Sequence, residues 1–151
     1  MHLTAMGDYA LRAMTEIAAA NPARIKAERI ARSQHIPLKF VENILITLKH
    51  AGLINAMRGA AGGYWLARPA TEITLADIIR AVEGPLANVR GTRPDQLKFS
   101  GPASALADVW VAVRVNLRNV LEKVTLEHVV RSKLPAPVMR LTRGRDARRP
   151  H

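Results

Sequence analysis

The segment from Ile36 to Pro69 limits the possible folds of this 151-residue chain more sharply than any other part of it. A helix pattern, two short strand patterns and a glycine-rich turn follow one another there. The helix pattern predicts a helix over 38–51 with one buried face, because apolar residues recur at i, i+3, i+4 and i+7. These residues are Val41, Ile44, Leu45 and Leu48.

The opposite face of this helix mixes charged, amide and aliphatic side chains. At about 100° per residue it is centred on Lys39, Asn43, Ile46 and His50, flanked by Phe40 and Thr47 and by Glu42 and Lys49. Such a mixture suits a DNA major groove, where a cation meets phosphate or guanine, an amide pairs with adenine and an aliphatic group touches thymine. A solvated helix surface has a similar composition, so the face alone leaves both interpretations open.

Two strand patterns, Ile54–Met57 and Tyr64–Ala67, enclose the glycine-rich turn Arg58–Gly63. A short helix pattern over 26–33 precedes the longer helix, so the order is helix, turn, helix, hairpin. This order is typical of a winged helix-turn-helix. Arg58 lies at the base of the turn, where it can enter a minor groove or hold a phosphate. A nucleotide-binding loop is disfavoured, because the turn lacks a Gly-Lys-Ser/Thr ending and precedes a strand.

Two further helices are predicted around this unit. The first covers Thr4–Ala20, and its Tyr9 and Arg12 lie beside the apolar stripe. An ordinary amphipathic surface and a contact with DNA phosphate both explain these two residues. The second helix covers Thr74–Val82 and begins with a capping-box pattern.

The C-terminal part of the chain has a different pattern. A stretch without clear periodicity, residues 86–102, is followed by a heptad pattern over 104–124, which favours a dimer of long helices. A long core helix folded onto its own domain is the alternative. The predicted interface residues are Leu106, Val109, Trp110, Val113, Leu117, Val120, Leu121 and Val124.

Composition excludes several classes of protein. Without any cysteine, the chain has no disulfide, no thiolate nucleophile and no cysteine-ligated metal centre. We found no metal-ligand spacing and no Ser/His/Asp grouping, so we do not expect an enzyme. The net charge of +11 favours polyanionic partners. No apolar run is long enough to span a membrane, so we expect a cytoplasmic protein.

Several segments together resemble one family of regulators. They are LTAMGDYALRAM, IARSQHIPLKFVENILITLKHAGLI, the wing RGAAGGYWLARP, ITLADIIRAVEG and TLEHVV. Over roughly residues 2–134 the chain resembles the bacterial winged-helix regulators typified by IscR, NsrR and CymR. The resemblance implies a homodimeric transcriptional regulator of the repressor type that binds double-stranded DNA at a pseudo-palindromic operator.

Site residues follow from matching positions in that family. Tyr9 and Arg12 would lie near the DNA backbone, and Lys39, Phe40 and Asn43 would enter the major groove. The wing contact would involve Arg58, Gly59, Gly62, Gly63 and Tyr64. Many family members hold an iron–sulfur cluster with three cysteines, and some add a carboxylate or histidine at positions resembling Asp8 and His35. Since cysteine is absent, the chain resembles a branch without a cluster, and we expect no metal or cofactor.

The expected fold is therefore mainly α with a small β-hairpin. It comprises a winged helix-turn-helix domain (1–84), a loop (85–103), a dimerisation helix with a short terminal helix (104–134), and a basic, disordered tail (135–151). A small-molecule effector or a partner protein remains open, and Trp110 with the 86–102 loop is one place for a ligand pocket. The alternative function is a dimeric protein-interaction module, or a regulator that acts mainly through a partner protein.

Overall fold

The fold is mainly helical with one two-stranded antiparallel hairpin, as the sequence predicts. The computed structural model describes residues 3–150. Its helices and strands, in chain order, are α1 (Ala5–Ala20), α2 (Ala27–Gln34), α3 (Leu38–His50), β1 (Ile54–Met57), β2 (Gly63–Leu66), α4 (Leu75–Glu83), α5 (Leu106–Leu121), α6 (Leu126–Val130) and α7 (Ala136–Thr142).

Helix α1 lies at the centre of the main core. Small and medium side chains on one of its faces are fully buried, among them Ala10, Ala13 and Ile17. Helices α3, α4 and α6 and strand β2 all pack against α1. Small side chains at the contact face let neighbouring elements approach closely. One helix can therefore hold together the winged helix-turn-helix unit, residues 3–84, which we call the head.

The helix pair α2–α3 is joined by a tight turn at His35, whose backbone is left-handed with φ 53°. The predicted buried face of α3 is confirmed, since the four apolar residues of its stripe have no solvent exposure. This burial fixes the rotation of α3 about its axis. The polar face named from the sequence therefore points to solvent.

The hairpin makes one further backbone pairing that the sequence analysis did not predict. Strands β1 and β2 pair from Ile54 with Leu66 to Met57 with Gly63. On the other side of β2, Ile25 and Tyr64 exchange both backbone hydrogen bonds, with N···O distances of 3.1 and 2.9 Å. The wing is thereby attached along one edge to the chain segment that enters α2.

Gly63 shows why a glycine is needed in this wing. Its φ is +140°, and a Cβ there would lie 2.9 Å from the Ile25 carbonyl oxygen. A side chain at this position would therefore push β2 away from the segment that contains Ile25.

After α5 the chain returns to the head, where residues 124–126 pack. Leu126 of α6 is fully buried in the main core, and its N–H donates to the Ile73 carbonyl at 3.0 Å. Val124 is only 3% exposed, and its carbonyl accepts from the Leu75 N–H at 2.9 Å. The prediction of Val124 as a dimer-interface residue is therefore wrong, because its side chain is used by its own chain. Helix α5 ends at Leu121 instead of continuing to that residue.

The predicted loop before α5 has short helical turns. Residues Pro94–Gln96 and Gly101–Ala103 form single 3₁₀ turns, and Pro94 is buried. Asp95 accepts hydrogen bonds from Arg93 and from Arg114 of α5, at 2.9 and 3.1 Å for the closest atom pairs. These contacts attach the loop to α5.

The prediction of a disordered tail from residue 135 is wrong for its first part. Residues Ala136–Thr142 form α7, and Val138 on this helix is 7% exposed. Val138 is the one buried residue of α7, and a single buried position gives no periodic signal that can be read from the sequence. Residues 143–150 are exposed.

Candidate nucleic-acid interface

The outward face of α3 presents the predicted groove-reading residues to solvent. Lys39, Asn43, Ile46 and His50 are all exposed, as are the flanking Phe40 and Thr47. Two of them are large apolar side chains, with Ile46 54% and Phe40 48% exposed. The Thr47 hydroxyl donates to the Asn43 carbonyl at 3.2 Å, so its oxygen is held against the helix backbone. The face can offer a cation, an amide and apolar surface together.

Residues from α1 support the start of α3. The rings of Tyr9 and Phe40 meet edge to face, with centroids 6.0 Å apart and an interplanar angle of 72°. The Arg12 guanidinium lies 5.5 Å from the centre of the Tyr9 ring. These contacts connect α1 to the first turn of α3, where a groove-binding helix makes its base contacts.

Arg12 also holds α1 to the end of α2. It donates to Asp8 at 3.1 Å and to the Gln34 side chain at 3.1 Å, and it bonds the Gln34 backbone carbonyl. Its guanidinium is half-buried and largely occupied by these acceptors. A phosphate contact by Arg12 stays a prediction. The contacts in the structure give Arg12 the role of holding α1 to the end of α2.

The wing residues divide into exposed and buried ones. Arg58 and Gly59 are exposed at the turn, whereas Gly62 and Gly63 are buried and Tyr64 packs partly against the core. Direct DNA contact by Gly62 and Gly63 is therefore corrected to a shaping role. A Cβ on Gly62 would overlap the Met57 carbonyl, and Gly63 lies against the backbone of Ile25.

Two cations near the wing were missed by the sequence analysis. Arg24 donates to the Ala61 carbonyl at 3.1 Å, and the Lys26 ammonium group donates to the Gly59 carbonyl at 2.5 Å. The available sequence signal was a lysine directly before a helix, where a short polar residue is usual.

Helix α5 leaves its apolar residues uncovered. Among residues 3–150 none of the side chains of α5 is buried, and Leu106, Val109, Val111 and Val115 are exposed. Trp110, Val113, Leu117, Val120 and Leu121 are half-buried. Apolar surface of this extent on one helix is typical of a face that a partner covers.

A small apolar hollow of about 190 Å³ lies between α4 and α5. Ile79, Leu86, Leu117 and Leu121 line it together with the residues at the end of α4. Trp110 is not part of its wall, so this hollow is not the pocket expected beside this tryptophan. The 86–102 loop contributes only its first two residues.

Ion pairs fix α5 against α4. The hydrogen bond from Arg118, together with one from Arg80 of α4, lowers the pKa of the Glu122 carboxyl below its ordinary value. The Arg118 Nε lies 2.9 Å from the Glu122 oxygen. The same contact raises the pKa of Arg118. Glu122 is thus a charged link between the head and α5.

Comparison with known proteins decides the family. Residues 3–132 match the sequence model of Rrf2, described as iron-dependent transcriptional regulator. The chain belongs to the Rrf2 family. The match covers the head, α5 and α6, so residues outside this range, including all of α7, lie beyond it.

Proteins similar to this chain are named as transcriptional regulators. A protein of Mycobacterium tuberculosis H37Rv named as an HTH-type transcriptional regulator is 44% identical over 142 residues, covering 93% of this chain and 88% of that protein. CymR of Bacillus subtilis, an HTH-type transcriptional regulator, is 33% identical over 130 residues, covering 84% of this chain and 88% of CymR.

Solved structures agree with this placement. The structure of CymR, the global cysteine regulator of B. subtilis, superposes with a TM-score of 0.75 at 30% identity, covering 88% of this chain and 98% of CymR. IscR of T. potens gives a TM-score of 0.72 at 30% identity, covering 87% of this chain and 88% of IscR. This Rrf2 chain is therefore a transcriptional regulator with a winged helix-turn-helix head, and DNA binding is the activity that its family implies.

The iron in the family description does not fit this chain's donor atoms. The sequence has no cysteine to ligate a cluster. Asp8 is paired with Arg12 at 3.1 Å, and His35 is an exposed turn residue. Across residues 3–150 no three His, Asp or Glu side chains are grouped as metal ligands. In the same range, no helix is both long and apolar enough to cross a bilayer.

Proposed function

We propose that this Rrf2 protein is a cytoplasmic homodimeric repressor that binds a pseudo-palindromic operator without a cysteine-ligated iron–sulfur cluster. The observation that carries the proposal is the combination of two surfaces on one chain. The head presents the polar face of α3 beside the Arg58 wing, and α5 presents uncovered apolar residues.

The two surfaces have different roles in the proposal. A single winged head reads one half-site, whereas two heads related by a two-fold axis read an inverted repeat. Helix α5 supplies the dimer contact through seven of the eight predicted interface residues, since Val124 is buried within its own chain. Half-site centres are then expected about 34 Å, or a multiple of 34 Å, apart.

Major-groove recognition is assigned to Lys39, Asn43, Ile46 and His50, with Phe40 at the start of the helix. Arg58 is assigned to the phosphate backbone or the minor groove. Base contacts specify the sequence, whereas phosphate contacts set affinity and its dependence on salt. Variants of the α3 residues should therefore change the base preference, whereas a variant of Arg58 should change mainly the affinity and its dependence on salt.

The first test combines mass and binding measurements on the purified full-length protein. Light scattering coupled to size exclusion should give twice the chain mass. Fluorescence anisotropy with promoter fragments should show affinity that falls steeply with salt and is higher for one fragment than for mixed competitor DNA. A monomer, or equal affinity for every fragment, would contradict the proposal. The alternative of a protein-interaction module would be favoured if the protein binds no DNA and still captures an acidic protein from cell extract after nuclease treatment.

A further inference from the structure

Lys26 occupies a position for which lysine is poorly suited. It is the residue before α2, with extended backbone angles, and its side chain makes no capping hydrogen bond. Ser, Thr, Asp and Asn are favoured there because they accept from the free N–H groups of the first turn. A positive charge at a helix N-terminus also opposes the helix dipole. Lysine at this position therefore costs α2 stability, which suggests that it serves another contact.

The Lys26 side chain reaches the wing. Its ammonium group donates to the Gly59 carbonyl at 2.5 Å. That same carbonyl accepts from the Gly62 N–H at 3.0 Å, the hydrogen bond that closes the wing turn. The Gly59 carbonyl oxygen therefore accepts both the hydrogen bond that closes the turn and the hydrogen bond from the Lys26 ammonium group.

Arg24 holds a second point on the same turn. Its guanidinium lies 4.5 Å from the centre of the Trp65 ring on β2. From there it donates to the Ala61 carbonyl at 3.1 Å, with Met57 sulfur 3.3 Å away. Stacking on an aromatic ring restricts a guanidinium, so its hydrogen bond to the turn is made from a defined position.

Strand geometry explains why the two cations act together. Successive side chains of a strand point to opposite faces. Ile25, paired with Tyr64, directs its side chain into the core and is 3% exposed. Arg24 and Lys26 share the other face and are exposed. Residues 24–26 therefore hold the wing by one backbone pairing and two charged side chains.

The held turn leaves a backbone donor facing outward. In a trans peptide the C=O and N–H groups point in opposite directions. With the Gly59 carbonyl directed to Lys26, the N–H of Ala60 is directed away from it. Within the described part of the chain, Ala60 N–H has no backbone acceptor. It is available to a DNA phosphate beside Arg58.

We infer that Arg24 and Lys26 are positioning residues that hold the wing in its DNA-binding conformation and raise affinity without contacting DNA. The inference rests on the proposed function, because it concerns affinity for DNA. Its physical basis is preorganisation. A wing that is ordered before binding does not pay an ordering cost during binding.

The decisive variant is Lys26→Ser. Serine can cap α2, so the melting temperature should stay the same or rise, while the wing loses one contact. Affinity for the operator should fall about three- to tenfold, the effect of ordering one or two side chains on binding. The slope of log affinity against log salt should stay the same, because the bound complex keeps its phosphate contacts.

Two controls separate this role from others. Lys123→Ser removes an exposed lysine outside the head and should leave affinity nearly unchanged. Arg24→Gln, which keeps a donor but removes the stacked cation, should act in the same direction as Lys26→Ser. A salt slope reduced by about 0.9 in Lys26→Ser would identify a direct phosphate contact and overturn the inference. An unchanged affinity would overturn it as well.

Hydrogen exchange in the DNA-free protein tests the wing without relying on DNA binding. The Gly62 amide should exchange faster in Lys26→Ser than in the wild type, because the turn that protects it opens more often. Equal exchange rates would overturn the inference even if DNA affinity falls. If the wild type binds no DNA while exchange still increases, the proposed function fails and the wing contact stands.

Discussion

At the scale of single residues, the α3 face and the wing have separable tasks. Lys39→Ala or Asn43→Ala should lower affinity for the preferred site by about 1–3 kcal/mol and relax the base preference, since each removes a proposed base contact. Arg58→Ala should weaken all sequences more evenly, because phosphate carries no sequence information. Anisotropy titrations with the preferred site and single-base variants measure both effects. If Arg58→Ala alone changed the base preference, the assignment of these residues would be reversed.

Gly63 gives a stability prediction with a matched control. Gly63→Ala should lower the free energy of unfolding by more than Gly52→Ala, as measured by urea denaturation. Both glycines have positive φ, +140° and +73°, and left-handed backbone costs about 1–3 kcal/mol for a side-chain-bearing residue. Only at Gly63 would the new Cβ press on other atoms, those of Arg24 and Ile25, whereas nothing lies within 4 Å at Gly52. Equal losses would show that the pairing with Ile25 does not constrain this glycine.

The residues predicted well from sequence are those fixed by local spacing. The α3 stripe lies within residues 41–48, so its buried face determines where Asn43 and Ile46 point. Lys26 and Gly59 are 33 positions apart, and their hydrogen bond depends on the pairing of Ile25 with Tyr64. Such a long-range backbone pairing leaves no periodic signal, because Ile25 is a single bridging residue.

At the scale of elements, Glu122 connects α4 to α5 through Arg80 and Arg118. Its pKa is lowered in the folded protein, so the contact stabilises fully above the unfolded pKa and is lost as pH falls through the folded pKa. Glu122→Gln should therefore reduce the free energy of unfolding by up to about 1 kcal/mol at neutral pH, since the pair is partly solvated. The difference from wild type should shrink below about pH 4.

Urea denaturation across pH checks this prediction, with Asp146→Asn as the control. Asp146 pairs with Arg149 in the exposed tail, so its loss should have almost no effect at any pH. A Glu122→Gln difference that did not change with pH would mean that charge is not the source of its effect.

Helix α5 provides a second prediction at this scale. Val109→Glu should raise the dimer dissociation constant strongly, because it places a charge in the proposed apolar contact. Val130→Glu places the same charge at an exposed valine on α6 and should leave the dimer intact. Sedimentation equilibrium measures both constants. The assignment of α5 would be contradicted by a Val109→Glu protein that dimerises like the wild type.

The element boundaries show where sequence patterns are incomplete. The heptad pattern continues to Val124, yet the chain leaves the helix after Leu121 so that Val124 and Leu126 can pack on the head. A valine buried in a dimer interface and a valine buried in its own chain give the same sequence pattern. The burial of Val124 and the backbone hydrogen bonds of residues 73–75 with 124–126 distinguish the two cases.

At the scale of the whole molecule, the charge and the fold act together. The net charge of +11 favours DNA over neutral partners but does not choose a sequence. The sequence preference is assigned to two α3 faces, whose separation is set by the dimer. The comparisons establish the family and the fold, whereas the dimer and the operator symmetry belong to the proposal.

The most direct measurement is selection of genomic DNA fragments by the purified full-length protein, followed by sequencing of the bound fraction. The proposal predicts one enriched motif made of two inverted half-sites, with centres about 10 base pairs or a multiple of this apart. Lys39→Ala with Asn43→Ala should lose the motif. Enrichment without any motif, or a single half-site without its inverted copy, would contradict the account of a dimer that reads DNA with two winged heads.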